Sequence, residues 1–272
     1  MQKRLRFPLA ALLFAALAFV GFQVFYSKER EPMYEGKCLS AWLKASTRVV
    51  DVTPVEDMRM SEADEVVRQV GTNAIPTLLR MLRVKDSALK VRLINLAMRQ
   101  HVVKITPAEN WNNAAARAFW VLGTNAQSAV PALMEIASQS ISPNSQYCAI
   151  TALGSVGPPA KEAVPALLRW ATNSDWEVRC CSLYALGEIH DSPGRVVPVL
   201  IDALHDPQNR IQRRAVVGLG KFGPEAEVAV PALLEFLHAT NLNRPYDYDN
   251  RRLATNALSR IDPEAAAKAG VK

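Results

Sequence analysis

The chain has 272 residues, of which 49% are apolar and 21% are charged, and its formal net charge is +6. This composition excludes a disordered chain, and the length allows one sizeable core or two small domains. Four cysteines without a CxxC pair exclude a disulfide-stapled miniprotein and give no zinc knuckle or redox pair. Lys3, Arg4 and Arg6 precede an apolar run, so half of the positive excess belongs to a targeting signal rather than to a surface for polyanions.

The N-terminal segment is predicted to enter a membrane. Pro8 to Tyr26 is apolar apart from Gln23, and as a helix it would span about 28 Å. Two interpretations compete, namely a retained signal anchor and a signal peptide cleaved at the small-residue triplet Ala16-Leu17-Ala18. We favour the anchor because the apolar run continues well beyond that triplet. The predicted organisation is a membrane helix at 1–26, a juxtamembrane helix and linker at 27–60, and a folded region at 61–272.

Beyond this segment, one six-residue pattern occurs five times. AIPTLL at 74–79 returns as AVPALM, AVPALL, VVPVLI and AVPALL, always with proline in the third place. The prolines are Pro76, Pro131, Pro165, Pro198 and Pro231, and the last three intervals are 34, 33 and 33 residues. This period predicts a repeat architecture in which each unit is one supersecondary structure.

Each repeat is predicted to contain a first and a second helix. The first helix ends at a glycine in a left-handed conformation, as at Gly187 and Gly223, and the second helix carries the proline in its first turn. Counted from that proline, offsets +2 and +3 are Leu, Ile or Met in all five copies. Together with offset +5 they are predicted to form the buried stripe.

These paired helices resemble HEAT repeats, especially the short bacterial kind called PBS-lyase-like. The best copies of the pattern are Val178-Arg179 with Ala185 to Ile189, and Gly157 to Pro165, within a resemblance that covers about 61–262. The resemblance implies an all-α fold, a HEAT/ARM-type right-handed α-solenoid of about five helical-hairpin repeats behind an N-terminal transmembrane or signal helix. The pattern departs from the family at Gln146 and Gln212, which replace its arginine.

The segment from Gly36 to Leu43 also looks like one that precedes the repeats in membrane-anchored bacterial HEAT proteins of unassigned function. The short basic tail before the apolar run is typical of a cytoplasmic n-region. We therefore expect a single-pass protein of the bacterial cell envelope with its solenoid outside the cytoplasm. A secreted or periplasmic product after signal cleavage is the alternative.

Two insertions interrupt the period. The interval from Pro76 to Pro131 is about 22 residues too long, which predicts an additional helix at 87–100 inside a modified first repeat at 61–122. A shorter insertion, 241–249, lies before the last helix, and it is either a solvated loop or a loop that contacts a partner. Its candidate contact residues are Arg244, Tyr246 and Tyr248.

No motif points to catalysis. The sequence has no Gly-rich phosphate loop, GxSxG elbow or HExxH pair. It also lacks the His-Glu pairs that iron-binding HEAT hydroxylases use, so the resemblance transfers no metal ligand. No catalytic residue, metal or cofactor is expected. Trp111, Trp120 and Trp170 are predicted to pack internally, and Trp176 is the tryptophan predicted to be exposed.

The second helices supply the candidate binding residues. Their offset +4 is a mixture of positive and negative residues instead of a positive stripe, which argues against nucleic acid and for a protein. The sequence therefore predicts a non-enzymatic, membrane-tethered scaffold that binds a protein or peptide on a concave face. A HEAT-type lyase or hydroxylase-like enzyme, or a nucleic-acid-binding HEAT protein, is the alternative. The candidate residues on this face are Arg80, Arg83, Glu135, Arg169, Asp202, His205, Glu235 and His238.

Overall fold

The structure is a computed structural model that describes residues 31–46, 62–88, 91, 106–239 and 247–268. The membrane helix predicted at 1–26 and most of the helix predicted at 87–100 lie outside these residues. The described elements are β1 (Met33–Tyr34), β2 (Lys37–Cys38), α1 (Leu39–Ser46), α2 (Glu62–Val70), α3 (Ile75–Leu82), α4 (Ala108–Leu122), α5 (Val130–Gln139), α6 (Pro143–Val156), α7 (Val164–Trp170), α8 (Trp176–Ile189), α9 (Pro193–Ala203), α10 (Asn209–Phe222), α11 (Val230–Ala239), α12 (Asp247–Ile261) and α13 (Pro263–Lys268). None of the helices in these ranges is both long and apolar enough to span a bilayer.

The even-numbered helices α2 to α10 are the first helices of five hairpins, and the odd-numbered helices α3 to α11 are the second helices. Each of the first helices α4, α6, α8 and α10 packs against the first helices on either side and against the second helix of the preceding hairpin. A hairpin therefore covers the apolar face of its neighbour, as the repeat prediction required. The handedness of the solenoid stays a prediction.

The prediction of one modified first repeat at 61–122 is wrong. Residues 62–82 already form a complete hairpin from α2 and α3, and α4 is the first helix of the next one. The two hairpins are joined by a bidentate ion pair in which Arg117 of α4 donates to both carboxylate oxygens of Asp64, at 2.9 and 2.7 Å. Asp64 is buried. The hairpins thus stack directly, whatever the length of chain between them.

An N-terminal unit, residues 31–46, covers the first hairpin. Its two strands are antiparallel and joined at Glu35 and Gly36, which both have positive φ, as a two-residue hairpin turn requires. The helix α1 packs against α2 and α4 and corresponds to the juxtamembrane helix predicted within 27–60. The sequence analysis did not predict the two-stranded hairpin formed by β1 and β2.

Glu31 fastens this unit to the solenoid. Its carboxylate accepts a hydrogen bond from the Ser40 hydroxyl at 2.7 Å and forms an ion pair with Arg80 of α3. Burial opposes the charged form, but Ser40 and Arg80 outweigh it and hold the pKa of Glu31 below its ordinary value. Because the folded-state pKa is lowered, this contact stabilises the fold at neutral pH and is lost as the pH falls through that pKa.

The first helices approach one another closely at glycines. A Cβ atom at Gly154 would lie 2.8 Å from the Cα of Ala185, and one at Gly187 would lie 3.0 Å from the Cα of Gly218. The prediction that the first helix ends at Gly187 is therefore wrong, because α8 continues to Ile189. The prediction for Gly223 is confirmed, since α10 ends there at a φ of 51°. The same residue type serves helix packing at one position and helix termination at the other.

Polar side chains at one register of a first helix bind carbonyl oxygens at the end of the preceding second helix or in the turn that follows it. Asn112 Nδ2 lies 2.9 to 3.2 Å from the carbonyl oxygens of Met81, Leu82 and Val84 at the end of α3. In the later hairpins the bonds are Gln146 to the carbonyl of Ala137, Arg179 to those of Asn173 and Ser174, and Gln212 to that of Asp206. The glutamines that replace the arginine of the family pattern make the equivalent bond.

Replacing Gly154 by alanine is expected to destabilise the fold by about 1 to 3 kcal/mol, because the new methyl group overlaps the backbone of α8. Urea denaturation followed by circular dichroism measures the change. The matched control is Gly194→Ala at the exposed start of α9, where a Cβ meets nothing within 4 Å and alanine favours the helix. Equal stability of both variants would contradict the close approach.

The Asn112→Asp variant is expected to lose at least about 2 kcal/mol, because a buried carboxylate cannot donate to the carbonyl oxygens that the amide now binds. Denaturant midpoints compare it with Asn113→Asp on the exposed side of α4. Asn113 acts through its side-chain oxygen, which accepts from Asn144, and a carboxylate keeps that acceptor. A loss of similar size in both variants would show that added negative charge, rather than the carbonyl contacts, is responsible.

Candidate functional site

The second helices bury one stripe and expose the opposite side. Offset +2 from the repeat proline is fully buried in every copy, as predicted. The second buried position is offset +6, four residues later on the same helix face. The buried residues at these offsets are Leu78, Leu133, Leu167, Leu200 and Leu233, then Leu82, Ala137, Ala171, Leu204 and Leu237.

Offset +3 is not part of the buried stripe, so this part of the prediction is wrong. It lies about 100° around the helix from offset +2 and is half-buried in all five second helices. The apolar row, as we name it, consists of Leu79, Met134, Leu168, Ile201 and Leu234. Offset +5 is buried in the first two copies, but Trp170, Ala203 and Phe236 are half-buried there. An apolar surface thus crosses all five second helices.

The candidate charged residues flank this row. Offset +4 is the residue after the apolar row, which is offset +3. Offset +7 lies four residues after offset +3, about one helical turn later on the same side of the helix. Together these three offsets form the second-helix face. The structure brings together on it Arg80, Arg83, Glu135, Arg169, Asp202, His205, Glu235 and His238, all exposed except the half-buried Arg80.

The basic residues at the N-terminal end of this face have internal partners. Arg80 forms the ion pair with Glu31, and Arg83 lies 3.4 Å from a carboxylate oxygen of Glu135 across neighbouring second helices. The second pair is exposed and contributes little to stability. Within the described parts of the chain, Arg169, Asp202 and Glu235 have no ion-pair partner, so the C-terminal half of the face carries unpaired carboxylates.

The loop candidates are not placed with these residues. Arg244 and Tyr246 lie outside the described residues. The backbone of Tyr248 belongs to α12, and its side chain is likewise outside what the structure describes. Their role as partner contacts stays a prediction.

The outward side of the first helices carries a feature that the sequence analysis missed. Arg210, Arg213, Arg214 and Lys221 of α10, with Arg252 and Arg260 of α12, form what we call the basic face. Aligning the first helices in the 33-residue register indicates it, because Arg213 follows Tyr147 and Cys180 at one equivalent position, and Arg214 follows Cys148 and Cys181 at the next.

Two of the tryptophan predictions differ from the structure. Trp120 is 43% exposed on α4, so its predicted internal packing is wrong. At the equivalent position the later first helices have Gly154 and Gly187, whose Cα atoms face the next helix. Trp176 is half-buried, with the guanidinium of Arg210 5.9 Å from its ring centroid.

The thiols do not form a reactive pair. Burial raises the pKa of the Cys181 thiol to about 11 and that of Cys148 further still. Both therefore stay protonated near neutral pH, and a protonated thiol is a poor nucleophile. In the described ranges, no group of three His, Cys, Asp or Glu side chains is placed to hold a metal ion.

Stacked hairpins with buried stripes define a helical-repeat protein, and a family model identifies the repeat. The model described as HEAT repeats matches residues 100–179, 130–207 and 164–245, which together span more than half of the chain. The chain therefore belongs to the HEAT-repeat family, and its all-α solenoid is of the HEAT type. The hairpin at 62–82 precedes the matched residues and has the same two-helix form.

Solved structures are similar at low sequence identity. One engineered protein is 17% identical with a TM-score of 0.48, over 85% of this chain and 100% of that chain. A second is 19% identical with a TM-score of 0.42, over 77% of this chain and 98% of that one. A chain from a study of Kap95p binding to RanGDP is 15% identical with a TM-score of 0.47, over 82% of this chain but 27% of its own length. No curated protein matches the sequence significantly.

Proposed function

We propose that this HEAT-repeat protein is a non-enzymatic scaffold whose second-helix face is concave and binds a protein or peptide. The observation that carries the proposal is the apolar row, which is only half-buried across all five second helices. A buried apolar centre with a polar rim is the usual anatomy of a protein interface. Side chains kept partly in water at every repeat supply that centre, and offsets +4 and +7 supply the rim.

The distribution of charge on this face indicates the chemistry of the partner. Arg80 and Arg83 are engaged by Glu31 and Glu135, whereas Asp202 and Glu235 are exposed. A partner segment with apolar side chains along the row and basic residues opposite the last two second helices complements this pattern. Nucleic acid would meet carboxylates there, which disfavours it.

We also propose that residues 1–26 tether the solenoid to the membrane of a bacterial envelope, with residues 27–272 outside the cytoplasm. The support is the basic tail, the apolar run and the resemblance of the segment that follows. A tether would hold the second-helix face close to envelope partners.

Reversing the unpaired charges of the second-helix face is expected to weaken partner binding at least about fivefold, through lost complementarity. The variant is Arg169→Glu with Asp202→Arg and Glu235→Arg. A photo-reactive residue at position 168, in the apolar row, reports binding through crosslinks identified by mass spectrometry in the native envelope. The same probe at Thr151, on the first-helix side, should give no such crosslink.

The matched control for this variant is Lys161→Glu with Glu162→Arg and Glu227→Arg. These residues are exposed in the turns between the two helices of a hairpin and undergo the same three charge changes. Crosslinks from position 168 that persist equally in the face variant and the control would show that these charges do not contribute to binding. Crosslinks from position 151 instead of position 168 would show that the partner binds elsewhere. A metal or cofactor that copurifies in stoichiometric amount would favour the enzyme instead.

Fusing alkaline phosphatase after residue 60 is expected to give an active reporter, because the enzyme folds to its active form only outside the cytoplasm. A cytoplasmic reporter fused at the same position serves as the control and should be inactive. The opposite pair of results would reject the proposed orientation. A soluble product that begins near Phe19 would show that the N-terminal segment is cleaved rather than retained.

A further inference from the structure

The basic face concentrates charge on two neighbouring first helices. The helix α10 has four basic residues, Arg210, Arg213, Arg214 and Lys221, and no acidic residue. The next first-helix position, α12, has three basic residues, Arg251, Arg252 and Arg260, against the acidic Asp247 and Asp249. By contrast, α6 has no charged residue at all. The outward side of the first helices therefore changes from neutral to basic along the solenoid, while the second-helix face becomes acidic.

Two of these guanidinium groups lie over aromatic rings of the preceding first helix. The Cζ of Arg214 is 4.9 Å from the ring centroid of Tyr184, and that of Arg210 is 5.9 Å from that of Trp176. Such stacking restricts the side chain and leaves the N–H groups at the edge of the guanidinium free to bind an anion. These arginines are held in place by the fold before any ligand is present.

Internal carboxylates satisfy only part of the basic face. Glu188 pairs with Lys221, and Asp249 lies between Arg213 and Arg252, at 3.5 and 4.0 Å. Among the described residues, Arg210, Arg214 and Arg260 have no carboxylate partner. A net positive surface, two helices wide, remains available.

This surface lacks the apolar centre of a protein interface. On the described parts of α10 and α12 the half-buried large apolar side chains are Val217 and Leu253, whereas the apolar row supplies one on every second helix. Dispersed arginines without an apolar centre match an extended array of phosphates better than a folded protein. A bilayer of anionic lipids is such an array, and the proposed tether places one within reach.

We infer that the basic face docks on the phosphates of anionic lipids and lays the solenoid along the membrane. This inference goes beyond the proposed function but rests on its membrane tether. The N-terminal unit and the basic face are at opposite ends of the array, so the tether and the basic face hold the solenoid at two points. The second-helix face, on the other side, is left open to its partner.

The test uses the full chain in nanodiscs of phosphatidylcholine, to which separate vesicles are added. We expect the chain to float with vesicles of 7:3 phosphatidylcholine and phosphatidylglycerol, and not with phosphatidylcholine vesicles. Binding should fall as salt is raised, because the charges are exposed. Neutralising α10 by Arg210→Gln, Arg213→Gln, Arg214→Gln and Lys221→Gln should weaken binding at least tenfold, since each basic residue near an anionic membrane contributes about fivefold.

The matched control removes four exposed basic charges elsewhere, by Arg68→Gln, Lys85→Gln, Lys161→Gln and Arg195→Gln. Circular dichroism melts verify that both variants fold. Equal binding by the two variants, or no preference for phosphatidylglycerol, would overturn the inference. A third result would also overturn it, namely that the chain binds a 20-base-pair DNA duplex but not the vesicles, and that the α10 variant loses the DNA binding.

The same experiment separates failure of the tether from failure of the inference. A chain that does not incorporate into nanodiscs contradicts the tether, and it is then mixed with the vesicles directly. Vesicle binding that depends on α10 in that case keeps the basic face as a lipid-binding surface and rejects only the anchor. Loss of vesicle binding in both arrangements rejects the basic face.

Discussion

The close approach of neighbouring first helices is the constraint on which the rest of the structure depends. At Gly154 and Gly187 the opposing backbone leaves no room for a Cβ atom, so the helices can stack in one register only. A shift along the helix axis would drive a side chain into the neighbouring backbone. Because each hairpin relies on its neighbours for burial, this register passes from one repeat to the next. Residues one period apart therefore share an environment.

A second recurrent interaction joins the first four second helices, or the turns that follow them, to the next first helix. The last carbonyl groups of a helix have no partner within it, and burying them unsatisfied would cost free energy. Asn112 and Gln146 bind such carbonyl groups, and at the same register Arg179 and Gln212 bind carbonyl oxygens of the turn after the second helix. What this position requires is an N–H donor of suitable reach rather than a particular residue. The two glutamines that depart from the family pattern therefore keep the hydrogen bond to a carbonyl oxygen at this register.

Much of this fold could be predicted from the sequence, because the period and the prolines report on helix boundaries directly. The failures have local physical reasons. Gly187 resembles a helix end, but whether glycine serves a turn or a close helix contact depends on the neighbouring helix, which the sequence does not show. Offset +3 is as apolar as offset +2, and only the 100° between them separates the apolar row from the core. Trp120 stands where later repeats have glycine, so the apolar residue type at this register does not indicate burial.

The exposure of most charged residues on the second-helix face could be predicted from the sequence. The partial burial of the apolar row and the ion pairs of Arg80 and Arg83 could not. Arg80 stands at the same offset as the exposed Glu135 and Arg169, but it is half-buried. Its partner Glu31 belongs to a unit far away in the chain. Such a contact carries no periodic signal. Arg169, Asp202 and Glu235 have no such partner in the described chain and are exposed, as the repeat register predicts, and their role as partner contacts stays a prediction.

The two sides of the solenoid can differ in chemistry because the stacking interactions leave them unconstrained. Packing fixes the glycines, the leucines at offset +2 and the carbonyl-binding register, and all of these point between helices. The outward positions bear none of that requirement, so one register can hold Tyr147 in α6, Cys180 in α8 and Arg213 in α10 without altering the core. The acidic end of the second-helix face and the basic face occupy the same hairpins from opposite sides. A single rigid array can thereby present separate surfaces, and the rigidity that stacking imposes keeps their separation fixed.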